Sequence, residues 1–342
     1  MRKYLIAEKD FVENLFICQN NSSAHEDLYS FILNDYSGYQ LFCDFHDMEE
    51  YQMAMKDNPI WELILDKFEC IHYADSIKPD AICNNHSISH GIFLVNADDE
   101  ECKEWQNKYE LIFVPFSGIE LVWNDYKEIR KGFQLKVTKS PIIPDRNKLD
   151  HWSKIRTFFK PMKDVVIFDK YILGDKSNQK LVDNIFPLLE NIMANRLSSF
   201  PYNITIITEK SQYDNFCIKQ RHQAICEYLN SKSITNYNLN IIKYKKDLGS
   251  GSIEGLHSRF ILSNYFHLKC DDSLNFFKSN GQINNDADVR VNFVLNDLQS
   301  KFFFKELKDI KTYLEKVENN PNHPDADRKL MFYPDKKNRI LC

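Results

Sequence analysis

The chain has 342 residues, 43% of them hydrophobic and 27% charged, with a net charge of −5. That is the balance of a globular protein long enough to bury two cores, and the scarcity of Gly (9) and Pro (11) excludes collagen-like repeats and argues against long disordered tracts. Glu8 and Asp10 interrupt the opening segment where a secretory leader needs an apolar run, and no stretch is apolar enough for a membrane span, so a cytoplasmic protein is expected. Nine scattered cysteines with no C-x-x-C read as free thiols in a reducing compartment. His86 and His90 have i, i+4 spacing but no third metal ligand nearby.

Taken in chain order, residues 4–7 read as a strand and Phe11 to Cys18 as the apolar face of a helix. Residues 25–72 are predicted mostly helical, from the spacing of Trp61, Leu63, Ile64 and Phe68. The apolar run Gly91–Val95 reads as a buried parallel strand, followed by a helix with acids in its first turn and a strand over 111–115. Residues 138–162 carry Pro141, Pro144 and Pro161 amid basic residues and read as a connector. Strands are predicted at 165–168, 204–208, 239–244, 259–263 and 289–294, with helices over 181–197, 213–229 and 298–317. Strands alternating with helices predict an α/β fold of two domains with three-layer α/β sheets, 1–140 and 163–342, joined by 141–162.

Charge divides the same way. Residues 1–130 hold 10 Lys and Arg against 25 Asp and Glu, whereas the remainder holds 34 against 24. The basic half suits contact with nucleic acid, and mutual attraction of the halves is the bland alternative.

The most informative segment is Leu256-His257-Ser258-Arg259-Phe260-Ile261-Leu262-Ser263-Asn264, followed by Asp272-Ser273-Leu274-Asn275. A histidine on a strand edge can attack phosphorus, and a cation two residues later shares its face because strand side chains alternate. Hydroxyl and amide groups on a following turn can add hydrogen bonds to phosphoryl oxygens. The segment resembles a degenerate signature of the phospholipase D superfamily: His-x-Lys, four residues, Asp, then a Gly-Ser-x-Asn turn. His257 stands at the His position, Arg259 at Lys, Asn264 at Asp, and Ser273 and Asn275 in the turn, with Asp272 at Gly. Val165 to Phe168 leading into Asp169-Lys170-Tyr171-Ile172 is similar to the superfamily's first strand, and Lys337 to Leu341 to its closing strand.

The resemblance implies a phospholipase-D-like fold over 163–342. It implies His257, Arg259 and Asn264 as a catalytic set and Ser273, Asn275, Asp169 and Tyr171 as phosphate contacts. Such a site acts as a phosphodiesterase or nuclease without a metal cofactor. Only one copy of the motif is present, since His267-Leu268-Lys269 repeats the spacing but has Leu274 where the acid belongs. Single-motif members complete the site by forming a homodimer, and some act as prokaryotic defence or toxin-type effectors. Other members have lost the chemistry and bind nucleic acid or a protein partner instead.

The N-terminal half has a weaker resemblance to PIN-like nucleases, which hold divalent metal on acidic residues at strand ends. Asp10 and Asp98 follow predicted strands and would be the ligands for Mg²⁺ or Mn²⁺, although acids there are also ordinary helix caps.

Overall fold

A computed structural model describes residues 2–85, 88–156, 158–175, 177–193, 200–210, 218–245, 259–320, 322 and 338–341. They form a mixed α/β protein with two separate sheets, in two compact units. The first unit takes residues up to 131 together with 293–300, and the second takes the rest of the described chain.

The first unit is built on five parallel strands: β1 (Lys3–Ala7), β2 (Tyr39–Cys43), β3 (Phe68–Tyr73), β4 (Gly91–Val95) and β5 (Ile112–Pro115), in the order β3-β2-β1-β4-β5. Every residue of β1, β4 and β5 is buried, as expected when helices cover both faces of a parallel sheet. The strands are joined through α1 (Lys9–Cys18), α2 (Ser23–Ser30), α3 (Met48–Asp57), α4 (Ile60–Leu63), a single turn after α3, α5 (Pro79–Asn85) and α6 (Asp99–Tyr109). The right-handed rule for parallel crossovers assigns α1 to α3 to one face and α5 and α6 to the other. The strand order reverses between β1 and β4, leaving a crevice at their C-terminal ends. Residues 293–300 join this unit through the Lys3 ion pair with Asp297 and the tilted ring contact of Phe31 with Phe293.

The second unit is built on seven strands: β6 (Phe133–Val137), β7 (Asp164–Phe168), β8 (Tyr202–Lys210), β9 (Tyr237–Lys245), β10 (Arg259–Ser263), β11 (Phe266–Cys270) and β12 (Ala287–Phe293). Their order is β6-β12-β11-β10-β7-β8-β9. The β7-β8-β9 segment is parallel, β10 runs antiparallel to β7 and forms a hairpin with β11, and β12 is antiparallel to β6. Trp152, Ile155, Phe159, Val165, Ile167, Ile204, Ile206, Ile261 and Leu268 form the centre of its core. The helices are α8 (Phe186–Met193), α9 (Ile218–Ser231) and α10 (Asp297–Asn319), after α7 (Ile119–Arg130) at the end of the first unit. No described helix is long and apolar enough to cross a membrane.

Four expectations differ from the structure. The stretch 25–72 contains β2 and β3, five and six residues long, the length of strands rather than helices. A division at 140 falls after β6, which pairs with β12 and so belongs to the second sheet. The helical spacing at 152–159 yields only a 3₁₀ turn, Trp152–Ile155. Among residues 338–341 the chain makes turns rather than the expected closing strand, with the Asn338 amide donating to Val165 O, Asn203 O and Thr205 Oγ1.

Candidate functional site

At one end of the second sheet, β7 finishes at Phe168 beside the start of β10, because Phe260 pairs with Phe168. Asp169 follows β7 and is fully buried. Its carboxylate accepts from Tyr171 N at 2.8 Å, Ser273 Oγ at 2.8 Å and Leu274 N at 2.6 Å. Burial raises its pKa despite these donors and the nearby Arg259 charge, because desolvation is the largest effect. The Arg259 guanidinium lies 5.4 Å from the centroid of the half-exposed Tyr171 ring, and its Nη1 donates to Asp271 O at 3.2 Å. Arg259, Tyr171, Asp169 and Ser273 are therefore gathered at this end of the sheet, although Ser273 and Asp169 lie 104 residues apart in the chain. A guanidinium stacked on an aromatic ring presents a planar fork suited to bidentate contact with phosphate.

His257 lies outside the described residues, two positions before Arg259 in the chain.

Asn264 does not belong to this group. It sits at the opposite end of β10, roughly 16 Å away at about 3.3 Å per residue. There its Oδ1 accepts from Lys163 N and Asp164 N, both at 2.8 Å, and its Nδ2 donates to Asp164 Oδ2 at 3.3 Å. Buried Asp164 also accepts from Asn203 Nδ2 at 2.7 Å and forms an ion pair with Arg339 at 2.8 Å. The antiparallel pairing of β10 with β7 causes this separation: the end of one strand meets the start of the other. Asn264 is thus a clamp on the hairpin rather than a member of the Arg259 group.

Asn275 parts from Ser273 as well. Its Oδ1 accepts from Asn184 Nδ2 at 2.9 Å, and its side chain lines a neighbouring cavity of about 480 Å³. Asn184 was not singled out from the sequence, yet it organises this segment. Its Oδ1 accepts from Phe277 N at 3.0 Å and Trp152 Nε1 at 3.3 Å, and its Nδ2 also donates to Phe277 O at 3.0 Å. It lies in a π-helical turn, Leu181–Ile185, leading into α8. The only signal in the sequence is a polar residue on the apolar face of that predicted helix.

His267 and Lys269 share one face of β11, and α10 brings Glu306 to both. Lys269 Nζ lies 2.7 Å from Glu306 Oε1, whereas His267 Nε2 lies 3.8 Å from Oε2, beyond hydrogen-bond reach. Asn292 of β12 contacts His267 Nδ1 at 3.4 Å, and Phe260 and Phe303 pack on the ring. Burial pushes the His267 pKa down to about 3, with the Lys269 charge adding to it. This histidine is neutral and internal, so it does not supply a second motif.

His267 also gives the fold a pH dependence. A histidine whose folded pKa is lowered takes up its proton in the unfolded state first. Stability is therefore complete above its ordinary value of 6.5 and is lost as pH falls from there toward 3. The slope is at most about 1.4 kcal/mol per pH unit. Urea unfolding at pH 7 and pH 5 should show this loss in the parent and a smaller one in His267→Phe. An equal loss in both would remove His267 as its source.

In the first unit, Asp98 caps α6, its Oδ1 accepting from Glu100 N at 2.9 Å and Glu101 N at 2.8 Å in a reciprocal capping box. Asp10 is exposed in the first turn of α1. At the C-terminal end of β1, the Glu8 carboxylate accepts from Asn96 N, just after β4, at 2.7 Å. Burial raises its pKa, with Asp44 and Asp10 adding. Asp44 in turn accepts from Lys9 N at 2.7 Å. These carboxylates tie strand ends together, and among the described residues no group of three or more His, Cys, Asp or Glu is placed to hold a metal. His86 lies outside the described residues, and His90 is buried with Nδ1 2.6 Å from Ser89 Oγ.

No protein-family model matches this chain, and no curated protein matches it.

Proposed function

We propose that the second unit acts on the phosphodiester backbone of nucleic acid, with Arg259 holding a phosphate and His257 as nucleophile. The supporting observation is the convergence of Arg259, Tyr171, Asp169 and Ser273 at one end of the sheet, with the buried Asp169 carboxylate pinning the Tyr171 and Ser273 loops. In this reading a His257 imidazole nitrogen attacks phosphorus and the sugar oxygen departs with its bonding electrons. Water then hydrolyses the phosphohistidine. Arg259 offsets charge building on the non-bridging oxygens. The net positive charge of residues 131–342 favours a polyanionic substrate. A homodimer would supply a second His257 to protonate the leaving oxygen.

A second reading, a non-catalytic module that binds nucleic acid or a protein partner, is favoured by one observation. Asn264, at the position of the signature's acid, is committed to clamping the hairpin.

The test is incubation of the full chain with end-labelled single-stranded RNA and DNA, with and without a chelator. Catalysis predicts cleavage that survives chelation and falls by about 10³-fold or more in His257→Ala. The binding reading predicts no cleavage, but a salt-sensitive affinity that Arg259→Ala weakens by about tenfold. Neither cleavage nor binding would overturn both readings.

A further inference from the structure

Among the residues whose side chains are described, Tyr171 is the most exposed Phe, Tyr or Trp, at 45%. The core is the ordinary place for a large ring, and every other described ring is buried or mostly covered. No aromatic ring pairs with Tyr171 among the described residues. The group over it is the Arg259 guanidinium, 5.4 Å from the ring centroid.

The backbone that carries this ring is held on both sides. Tyr171 N donates to the buried Asp169 carboxylate at 2.8 Å. Tyr171 O accepts from Gly174 N at 3.2 Å and from Lys180 Nζ at 3.1 Å. An exposed ring on a fixed backbone has little freedom left to lose when a ligand covers it, so the ordering cost of binding is small.

A cation beside an exposed ring matches the two surfaces of a nucleotide, an anionic phosphate and a flat π-face. Inside a duplex, both faces of a base are covered by its stacked neighbours. A base can lie on Tyr171 only where it is unpaired and unstacked, as in a single strand. The phosphate contact of Arg259 makes no such distinction, because both forms carry backbone phosphates.

We propose that Tyr171 is a stacking surface for an unpaired nucleobase, and that the second unit takes single-stranded nucleic acid over duplex. Tyr171 is then a contact to the base rather than to phosphate. The inference rests on the reading of Arg259 as a phosphate contact.

The experiment is fluorescence anisotropy of the full chain with three labelled probes at one fixed salt concentration. They are a twenty-nucleotide DNA strand, its blunt duplex, and a strand of twenty abasic units that keeps the phosphates and lacks the bases. The single strand should bind about tenfold more tightly than the duplex, the effect of one base stacked on an aromatic side chain. It should exceed the abasic strand by about the same factor. Tyr171→Phe keeps the ring and should keep the preference. Tyr171→Ala should weaken single-strand binding about tenfold and erase the preference. Arg259→Ala should weaken single strand and duplex together. Equal affinity for single strand and duplex, equal affinity for single strand and abasic strand, or a preference that survives Tyr171→Ala would overturn the stacking surface and leave the phosphate reading intact. Binding of none of the three probes would overturn the phosphate reading, and the stacking surface with it. The abasic strand tests the idea in the unmodified protein even if Tyr171→Ala fails to fold.

Discussion

Asn264→Asp, which restores the acid of the phospholipase D signature, is expected to destabilise the second unit by about 2–4 kcal/mol at pH 7 rather than to switch on activity. The Asn264 amide donates to Asp164 Oδ2 at 3.3 Å, so an ionised aspartate would set two buried carboxylates against each other. The new carboxyl can replace the amide only when protonated, with its O–H donating to Asp164. Keeping a carboxyl protonated at pH 7, about three units above its ordinary pKa, costs up to about 4 kcal/mol, and the Arg339 charge on Asp164 offsets part of that. The sign follows. The variant's folded pKa is raised, so its stability relative to the parent is retained at low pH and lost as pH rises through that value. Urea unfolding at pH 7.5 and pH 5 should therefore show a gap from the parent that narrows on acidification. A variant as stable as the parent at pH 7.5 would contradict the placement of Asn264 against Asp164.

Asn184→Leu is expected to cost about 3–5 kcal/mol, since each buried polar group left without a partner costs about 1–3 kcal/mol. The change keeps volume but removes the partner of Trp152 Nε1 and of both the N–H and the C=O of Phe277, all in the interior. It also removes the Asn184 donor to Asn275, which lines the 480 Å³ cavity. A double-mutant cycle isolates one strand of the network. In a Trp152→Phe background, which has no indole N–H to orphan, Asn184→Leu should cost about 1 kcal/mol less. Strict additivity of the two changes would mean that the Trp152–Asn184 contact carries no stability.

Part of this protein was legible in its sequence for a simple reason. Continuous apolar runs such as Gly91–Val95 and Val165–Phe168 can be buried on both faces only in a covered sheet, so the α/β character and most strands of the second unit follow from local pattern. Asp98 likewise announced a helix start, and it is a capping residue. Where local pattern was ambiguous the reading failed. Tyr39–Cys43 is a five-residue stretch, apolar but for Gln40, that strand and helix accommodate equally well, and its partner β1 lies more than thirty residues away.

The membership of the site depended on tertiary structure throughout. The spacing His-x-Arg predicts two side chains on one strand face, but spacing does not say which strand end meets which. The antiparallel pairing of β10 with β7 carried Arg259 to Asp169 and Asn264 to Asp164, splitting residues that lie five apart in the chain between opposite ends of the sheet. Ser273 and Asn275 were divided by the side chains that captured them, Asp169 and Asn184, each about a hundred residues away. Sequence by itself determined the α/β class and the residue types able to hold phosphate. Long-range strand pairing, which local pattern does not encode, decided which of those residues stand together and which are only clamps.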